Sequence, residues 1–410
     1  RSESSPEEKQ QTEALIGGLW EDFVETVASD RDITAEQVQQ LADEVGLVQP
    51  EQALEAGLVD KLGFYDDVLT GLKDLTGVTP DDEQDDLFAN EKDFPQTSLT
   101  QYAQVVANQR ARDFHGDGDT VAVVYADGNI VIGSDTIPGT ITSQGLTSTL
   151  REMRRDDDVK AVVLRVNSPG GSAIASEVIT DEVKLLAAEK PLIVSMGNYA
   201  ASGGYMIAAP GAKILASPTT ITGSIGVYGL LLNFQEIANN NGITWDVVKT
   251  AELADMETTS RPQTEQELQI QQGYVDKLYD RFTSIVAEGR DITKERVGQV
   301  AQGRVWTGQD AIAANLVDEM GGLEDAIALA AETAEITDYQ VGEYPRLPSF
   351  EEQLLNSIFG TGMIAINRLP WNKDPLTDQL LELKEDFKLL ETLNDPHNMY
   401  MRLPFTTEIE

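Results

Sequence analysis

The chain of 410 residues is long enough for more than one domain and for a large buried core. Its 70 acidic and 30 basic side chains give a net charge of −40, which disfavours nucleic acid or an anionic membrane surface as a partner and is typical of a solvated surface in a salty medium. The chain has no cysteine, which excludes disulfides and thiol nucleophiles. Its only histidines are His115 and His397, which disfavours a multi-histidine metal site. We expect no cofactor.

Two stretches of the chain repeat in the same order. Residues 19–34 resemble residues 278–293, and residues 52–60 resemble residues 309–318. The two separations are nearly equal, which indicates an internal duplication. The second copy begins near Asp119, so an equivalent first copy would begin well before residue 1.

The duplication predicts four parts. These are residues 1–78 as the end of the first repeat, 79–118 as an acidic linker, 119–340 as a complete second repeat, and 341–410 as a C-terminal extension. The chain has no run of eighteen apolar residues, and its most apolar late segment, residues 358–366, is too short to span a bilayer. Any membrane anchor is therefore expected outside these residues.

The second repeat alternates strand and helix patterns, which favours an α/β fold with a parallel sheet. The nearly continuous apolar run at residues 159–166 is typical of a strand buried on both faces. In the helix after it, Ile174, Val178 and Leu185 stand at helical spacing. The predicted strands are residues 120–125, 159–166, 192–196 and 212–216, with helices that start near Ser172 and Ala201.

Two glycine-rich turns each follow a predicted strand. The first, residues 168–171, could present backbone N–H groups to an anion or oxyanion, or could need its glycines only for a tight turn. The second, residues 200–205, places Ser202 in the first turn of a short helix, where a serine ordinarily serves as the N-cap. Both turns should lie at the carboxyl edge of the sheet, and a hydroxyl beside amide donors is the minimum apparatus for acyl transfer.

A nucleophilic serine needs a base, and neither histidine is well placed to serve. His115 and His397 both lie in polar loops, which favours surface positions for them. A desolvated lysine is the usual substitute, because burial lowers its pKa and leaves a neutral amine.

Five segments of the chain are informative as an ordered set: residues 165–172, 200–205, 222–227, 305–311 with 316–318, and 394–396. Together they resemble the signal peptide peptidase A (protease IV) family in its long, duplicated form. The ordered set is specific and the resemblance covers most of the chain, whereas any one glycine-rich piece would be weak. The resemblance implies a Clp-protease/crotonase-like fold, a tandem duplication with the first copy truncated at its N-terminus, and a Ser/Lys dyad.

The resemblance also assigns roles to individual residues. It implies that Ser202 is the nucleophile and that Ser224 holds and orients the lysine. It implies that the amides of Gly171 and Gly203 form the oxyanion hole, with Gly170 supporting the turn.

The implied lysine falls several residues before Arg1. The equivalent place in the second copy is near Ala254, which offers no amine. Lys249 is the nearest stand-in, about five positions early, and we interpret it as a surface residue.

The function implied by the resemblance is a serine endopeptidase that degrades cleaved signal peptides and other hydrophobic peptides. It implies attachment to the inner membrane through a segment outside this chain, with the catalytic part facing the periplasm, and self-association as a tetramer. Two alternatives stay open: a crotonase-type acyl-CoA enzyme with related oxyanion turns, and a catalytically inactive scaffold or adaptor.

Overall fold

The computed structural model describes residues 5–77, 97–99, 101–102, 105–106, 118–134, 139–345 and 395–403. Most of the predicted linker, His115 and the apolar segment at residues 358–366 lie outside these ranges. The chain divides into two compact units, one of Arg1–Gly18 with Gly118–Glu410 and one of Leu19–Asp117.

The N-terminal part is helical. Thr34 begins the second of its helices with a capping box, in which its hydroxyl accepts the Gln37 N–H at 3.2 Å. The helices are α1 (Pro6–Arg31), α2 (Ala35–Gln40), which continues into a π-helical turn (Leu41–Val45), α3 (Pro50–Glu55) and α4 (Tyr65–Thr76).

The larger unit contains the strands described in the chain and most of its helices. The strands are β1 (Thr120–Asp127), β2 (Asn129–Val131), β3 (Thr140–Thr142), β4 (Val159–Ser168), β5 (Gly170–Ser172), β6 (Leu192–Ala201), β7 (Lys213–Ala216), β8 (Ile221–Gly223), β9 (Tyr228–Gly229), β10 (Val305–Thr307), β11 (Glu319–Met320), β12 (Gln340–Tyr344) and β13 (Met399–Arg402). The helices are α5 (Ser143–Arg155), α6 (Ala173–Glu189), α7 (Gly203–Ala208), α8 (Gln235–Asn240), α9 (Glu265–Gly289), α10 (Lys294–Val300), α11 (Gly308–Ala313) and α12 (Leu323–Thr333).

Two sheets organise this unit. The main sheet has the order β10-β8-β6-β4-β1-β12, with β7 paired to β6 and β11 paired to β7. Its strands are parallel except for β10, which runs antiparallel to β8. The second sheet has the order β3-β2-β5-β13-β9 and lies along the glycine-rich turns.

The main sheet is buried on both faces, as its apolar strands predict. Val121 and Val123 of β1 pack toward α12, whereas Ala122 and Val124 face the core that includes α5, α6 and α7. Each fully buried valine or leucine stabilises the fold by about 1.5–3 kcal/mol relative to an exposed one. The predicted α/β class is confirmed.

Helix α6 packs on a different face from the one that Val178 and Leu185 suggest. Val178 and Leu185 are 46% and 50% exposed. The core contacts come instead from a face that contains Ile179, Val183 and Leu186, completed by small alanine, serine and threonine side chains. Small residues let the helix approach the sheet closely, and an apolar stripe read from the sequence cannot register that preference.

Strand β6 is longer than predicted. It continues to Ala201, and the helix begins only at Gly203. The extension exists because Tyr199, Ala200 and Ala201 pair with β8, a strand twenty residues further along the chain.

The two repeats share a turn geometry. Asp32 and Asp291 both adopt a positive φ, 52° and 49°. Thr34 and Thr293 then cap the next helix, and each hydroxyl accepts a backbone N–H at 3.2 Å. The sequence duplication is thus reproduced at single residues.

An ion pair recurs in the same way. Arg31 lies 3.2 Å from Asp60, and Arg290 lies 2.6 Å from Asp318. Each pair links the end of a long helix to the Leu-Val-Asp segment of its own repeat. Both observations agree with the predicted tandem duplication. Within the part of the chain that the structure describes, no helix has the length and apolarity to cross a bilayer.

Candidate active site

Ser202 lies between the end of β6 and the start of α7, at φ 53° and ψ −116°. A non-glycine residue there costs about 1–3 kcal/mol and persists only when its surroundings fix it. The Ser202 N–H donates to the Gly223 carbonyl at 2.8 Å, and the Ser202 carbonyl accepts the Met206 N–H at 2.9 Å. The side chain is buried but makes no capping hydrogen bond, so the ordinary interpretation of this serine as a helix cap does not apply.

The helix after Ser202 depends on a glycine for its close approach to β4. A Cβ added to Gly204 would lie 2.6 Å from the Ser168 carbonyl oxygen. A side chain at this position would therefore push α7, and Ser202 with it, away from the end of the sheet.

Ser224 lies beside Ser202 because β8 pairs with the end of β6. Ala201 stands opposite Gly223, so the next residue of each strand emerges at the same edge. Ser224 is also buried and has a positive φ of 48°, and its N–H donates to the Arg304 carbonyl at 2.7 Å. The structure thus brings together the two serines that the sequence analysis selected.

The first glycine turn lies against the second. Gly170 has a φ of 99°, which favours glycine, and a Cβ there would be 2.8 Å from the Gly203 nitrogen. The Ser168 hydroxyl accepts the Gly170 N–H at 3.1 Å and donates to the Gly128 carbonyl at 2.7 Å. The helix begins at Ala173, next to the predicted start near Ser172, but residues 170–172 before it form a short strand that was not predicted, since β2 and β13 pair with it.

A cavity of about 310 Å³ opens at the two serines. The cavity extends from these two serines to the start of β9 and to the C-terminal strand β13. The residues that line it are Ser202, Ser224, Gly226, Val227, Tyr228, Tyr279, Gln302, Gly303 and Arg402.

Two groups of the cavity wall are partly desolvated. Burial raises the pKa of the Tyr228 hydroxyl, an effect that the neighbouring Arg402 partly offsets. Burial likewise lowers the pKa of the Arg402 guanidinium. The Tyr228 side chain is still 37% exposed, so solvent reaches this part of the cavity.

The alternative bases lie elsewhere. Lys249 binds the Asp255 carboxylate at 2.9 Å and the Glu252 carbonyl at 2.8 Å, and its side chain is 37% exposed. His397 is half-exposed, with Nδ1 3.2 Å from a Glu257 oxygen. Neither residue lines the cavity. His115 lies outside the described residues.

Sequence reasoning did not find several cavity residues. Gln302 and Arg402 lie outside every motif, and Tyr279 was noted only as part of the repeated stretch at residues 278–293. The one available signal was residues 394–396, a segment noted for its resemblance alone, which directly precedes the strand that carries Arg402.

The sequence matches the description "Peptidase family S49" over residues 1–79 and 184–337. The chain belongs to peptidase family S49. A match to "Clp protease" covers residues 117–221, between the two family S49 segments and overlapping the second. The predicted family and the Clp-protease-like fold are therefore confirmed.

Curated proteins give the same family. The chain is 35% identical to Protease 4 of Salmonella typhi over 98% of its length and 63% of that protein. It is 34% identical to Protease 4 of Haemophilus influenzae over 80% of the chain and 52% of that protein. It is 31% identical to the chloroplastic serine protease SPPA of Arabidopsis thaliana over 82% of the chain and 48% of that protein. The chain thus spans about half to two thirds of the length of these relatives.

Proposed function

We propose that this chain carries the nucleophile of a serine endopeptidase. The observation that carries the proposal is the state of Ser202: it is buried in a rarely populated backbone conformation, is free of any capping bond, and lines a cavity with Ser224. A strand-to-helix turn with a positive φ is the geometry by which hydrolases expose a nucleophilic serine. Membership of peptidase family S49 supports the same reaction.

In the proposed reaction, the Ser202 oxygen attacks the carbonyl carbon of a peptide bond and its proton passes to a base. The carbonyl oxygen becomes an oxyanion, stabilised by the amides of Gly171 and Gly203. Collapse of this intermediate expels the amine with a proton from the base and leaves an acyl-serine. Water then hydrolyses the ester and frees Ser202. Loss of one oxyanion donor typically lowers turnover by about 10²–10³-fold.

We propose a lysine amine as the base, supplied from outside residues 1–410 and oriented by Ser224. Burial of Ser224 supports this role, because desolvation keeps an amine neutral. The ion pair of Lys249 with Asp255 supports assigning the base to another lysine.

The proposed substrates are hydrophobic peptides, including cleaved signal peptides. The names of the relatives, Protease 4 and serine protease SPPA, support a peptide substrate. Val227, Tyr228 and Tyr279 offer apolar surface in the cavity. We further propose attachment to the inner membrane facing the periplasm, and assembly as a tetramer. A monomer in sedimentation measurements on the full-length protein would contradict the assembly.

The test uses the full-length protein, including the residues that precede Arg1, with a fluorogenic hydrophobic peptide. Ser202→Ala should lower kcat by about 10³-fold or more at unchanged thermal stability, because it removes the nucleophile. Ser217→Ala, a serine outside the cavity lining, is the control. Cleavage by Ser202→Ala at the wild-type rate would contradict the proposal, and thioester turnover retained in this variant would favour an acyl-CoA enzyme.

A further inference from the structure

The C-terminal strand β13 lies in a slot between β5 and β9 and pairs with both. On one side the Leu403 N–H donates to the Pro169 carbonyl at 2.9 Å, and on the other the Leu230 N–H donates to the Asn398 carbonyl at 2.9 Å. The segment that contains β13, residues 395–403, is called here the C-terminal segment. It therefore crosses directly over the first glycine turn.

The register places Met401 opposite Gly171. Hydrogen-bonded pairs recur at every second residue of an antiparallel ladder. Because Leu403 bonds Pro169, the next such pair is Met401 with Gly171, which directs the Met401 carbonyl to the Gly171 amide. A Cβ added to Gly203 would lie 3.0 Å from the same oxygen. The Met401 carbonyl thus lies over the first glycine turn, close to both glycines whose amides are the proposed oxyanion donors.

Side chains of the segment are buried on both sides of the strand. Met399, Tyr400 and Met401 are 1%, 0% and 0% exposed. Arg402, the residue after Met401, lines the cavity with Ser202 and Ser224. The slot therefore holds the strand by apolar contacts as well as by backbone pairing, as sheets do with peptides that add a strand to their edge.

A buried carboxylate fixes the start of the segment. Asp395 is 4% exposed, and its Oδ2 accepts the Ser172 hydroxyl at 2.5 Å and the Ile174 N–H at 3.4 Å. Its Oδ1 accepts the N–H groups of His397 at 3.0 Å and Met399 at 3.2 Å. One side chain therefore ties the segment to the N-terminus of α6, next to the glycine turn.

We propose that the slot between β5 and β9 is the peptide-binding groove and that the C-terminal segment occupies it as an autoinhibitory strand, with Asp395 as its latch. A substrate must then displace β13 and pair in its place, presenting an apolar side chain where Met401 lies. The inference rests on the proposed function. The rival assignment is a permanent strand of the fold, which would leave substrate to bind elsewhere.

The experiment uses the full-length protein and two releasing variants, Asp395→Asn and Met401→Ala. The matched controls are Glu182→Gln, which alters a buried carboxylate bound by Arg151 and Arg154, and Met153→Ala, which alters a buried methionine of α5. Both releasing variants should raise kcat/KM for a short hydrophobic peptide by about tenfold or more, because Asp395→Asn weakens hydrogen bonds to a charged group and Met401→Ala removes a buried apolar side chain. The controls should lower thermal stability without raising activity.

A synthetic peptide of residues 395–403 should inhibit the released variants competitively, and a scrambled peptide should not. Releasing variants that lose activity as their controls do would overturn the inference, since β13 would then be a fixed part of the fold. Absence of inhibition by the peptide would overturn it as well. Failure of the proposed function is distinguishable, because Ser202→Ala would then still cleave the peptide.

Discussion

The strained backbone of Ser202 is held in place by close packing of the residues around it. The positive φ of Ser202 is held by hydrogen bonds to Gly223 and Met206. Gly204, two residues later, brings α7 within contact of Ser168 on the adjoining strand. The turn therefore depends on the lack of a side chain at Gly204 as well as on the hydrogen bonds of Ser202.

Gly204→Ala tests this packing. Alanine in a helix is ordinarily favoured over glycine by about 0.5–1 kcal/mol, but here its Cβ would meet the Ser168 carbonyl oxygen at 2.6 Å. We expect lower thermal stability and a loss of turnover of about 10²-fold, because Ser202 would shift. The control is Gly273→Ala in α9. An added Cβ there has no atom within 4 Å, so this substitution should stabilise the protein. Equal effects of the two variants would contradict the packing argument.

At the scale of single elements, the start of α9 is held by a charge cluster. The Thr264 hydroxyl accepts the Glu267 N–H at 3.3 Å, and the Glu267 carboxylate accepts the Thr264 N–H at 2.7 Å. Both Arg261 terminal nitrogens donate to Glu267, at 2.7 and 2.8 Å. These bonds, first those from Arg261 and then that from Thr264, lower the pKa of Glu267 from 4.5 to about 2.

The cluster predicts a pH dependence. A lowered pKa means that the ionised Glu267 stabilises the folded state fully above pH 4.5, and that this contribution is lost as the pH falls toward about 2. Glu267→Gln should therefore unfold at a lower temperature than wild type above pH 4.5, with a gap that narrows in acid. Thermal unfolding across that range measures it, with the exposed Glu265→Gln as control. A gap that stays constant with pH would contradict the assignment.

Across the whole molecule, the two repeats share turn geometry and an ion pair, but the ion pair is more buried in the second repeat. The pair of Arg290 and Asp318 is shorter than that of Arg31 and Asp60, and the Arg290 side chain is only 6% exposed. Asp318 also accepts the Ile214 N–H at 2.8 Å, which joins the pair to β7. The Arg-Asp pair of the second repeat is therefore more buried than its equivalent in the first, and its aspartate is also bonded to a strand.

Asp318→Asn and Asp60→Asn compare the two pairs directly. We expect Asp318→Asn to lower the free energy of unfolding by about 1.5–3 kcal/mol, as for hydrogen bonds to charged groups that are partly buried. The Asp60 side chain is 84% exposed, so Asp60→Asn should lower the free energy of unfolding by less than about 1 kcal/mol. Urea denaturation of both variants measures the difference. A larger loss in Asp60→Asn would contradict this account.

Apart from Ser224, which only the family resemblance selected, the amino-acid sequence by itself determined the α/β class, the duplication and the two glycine turns with Ser202. These follow from local patterns, since apolar runs fix buried strands and glycine marks turns that other residues cannot adopt. The buried face of α6 was not found in this way, because the helix offers two apolar faces and only the one with Ile179, Val183 and Leu186 packs on the sheet.

Only the tertiary structure decided which distant residues complete the site. Pairing of β6 with β8 sets Ser202 beside Ser224, and pairing of β5 with β13 brings Met401 and Arg402 to the same place. Strand pairing joins residues of any separation through backbone groups that every residue carries, so no side-chain pattern announces it. For that reason Ser202 and its glycine turn could be read from the sequence, whereas the strand that lies across the neighbouring glycine turn could not.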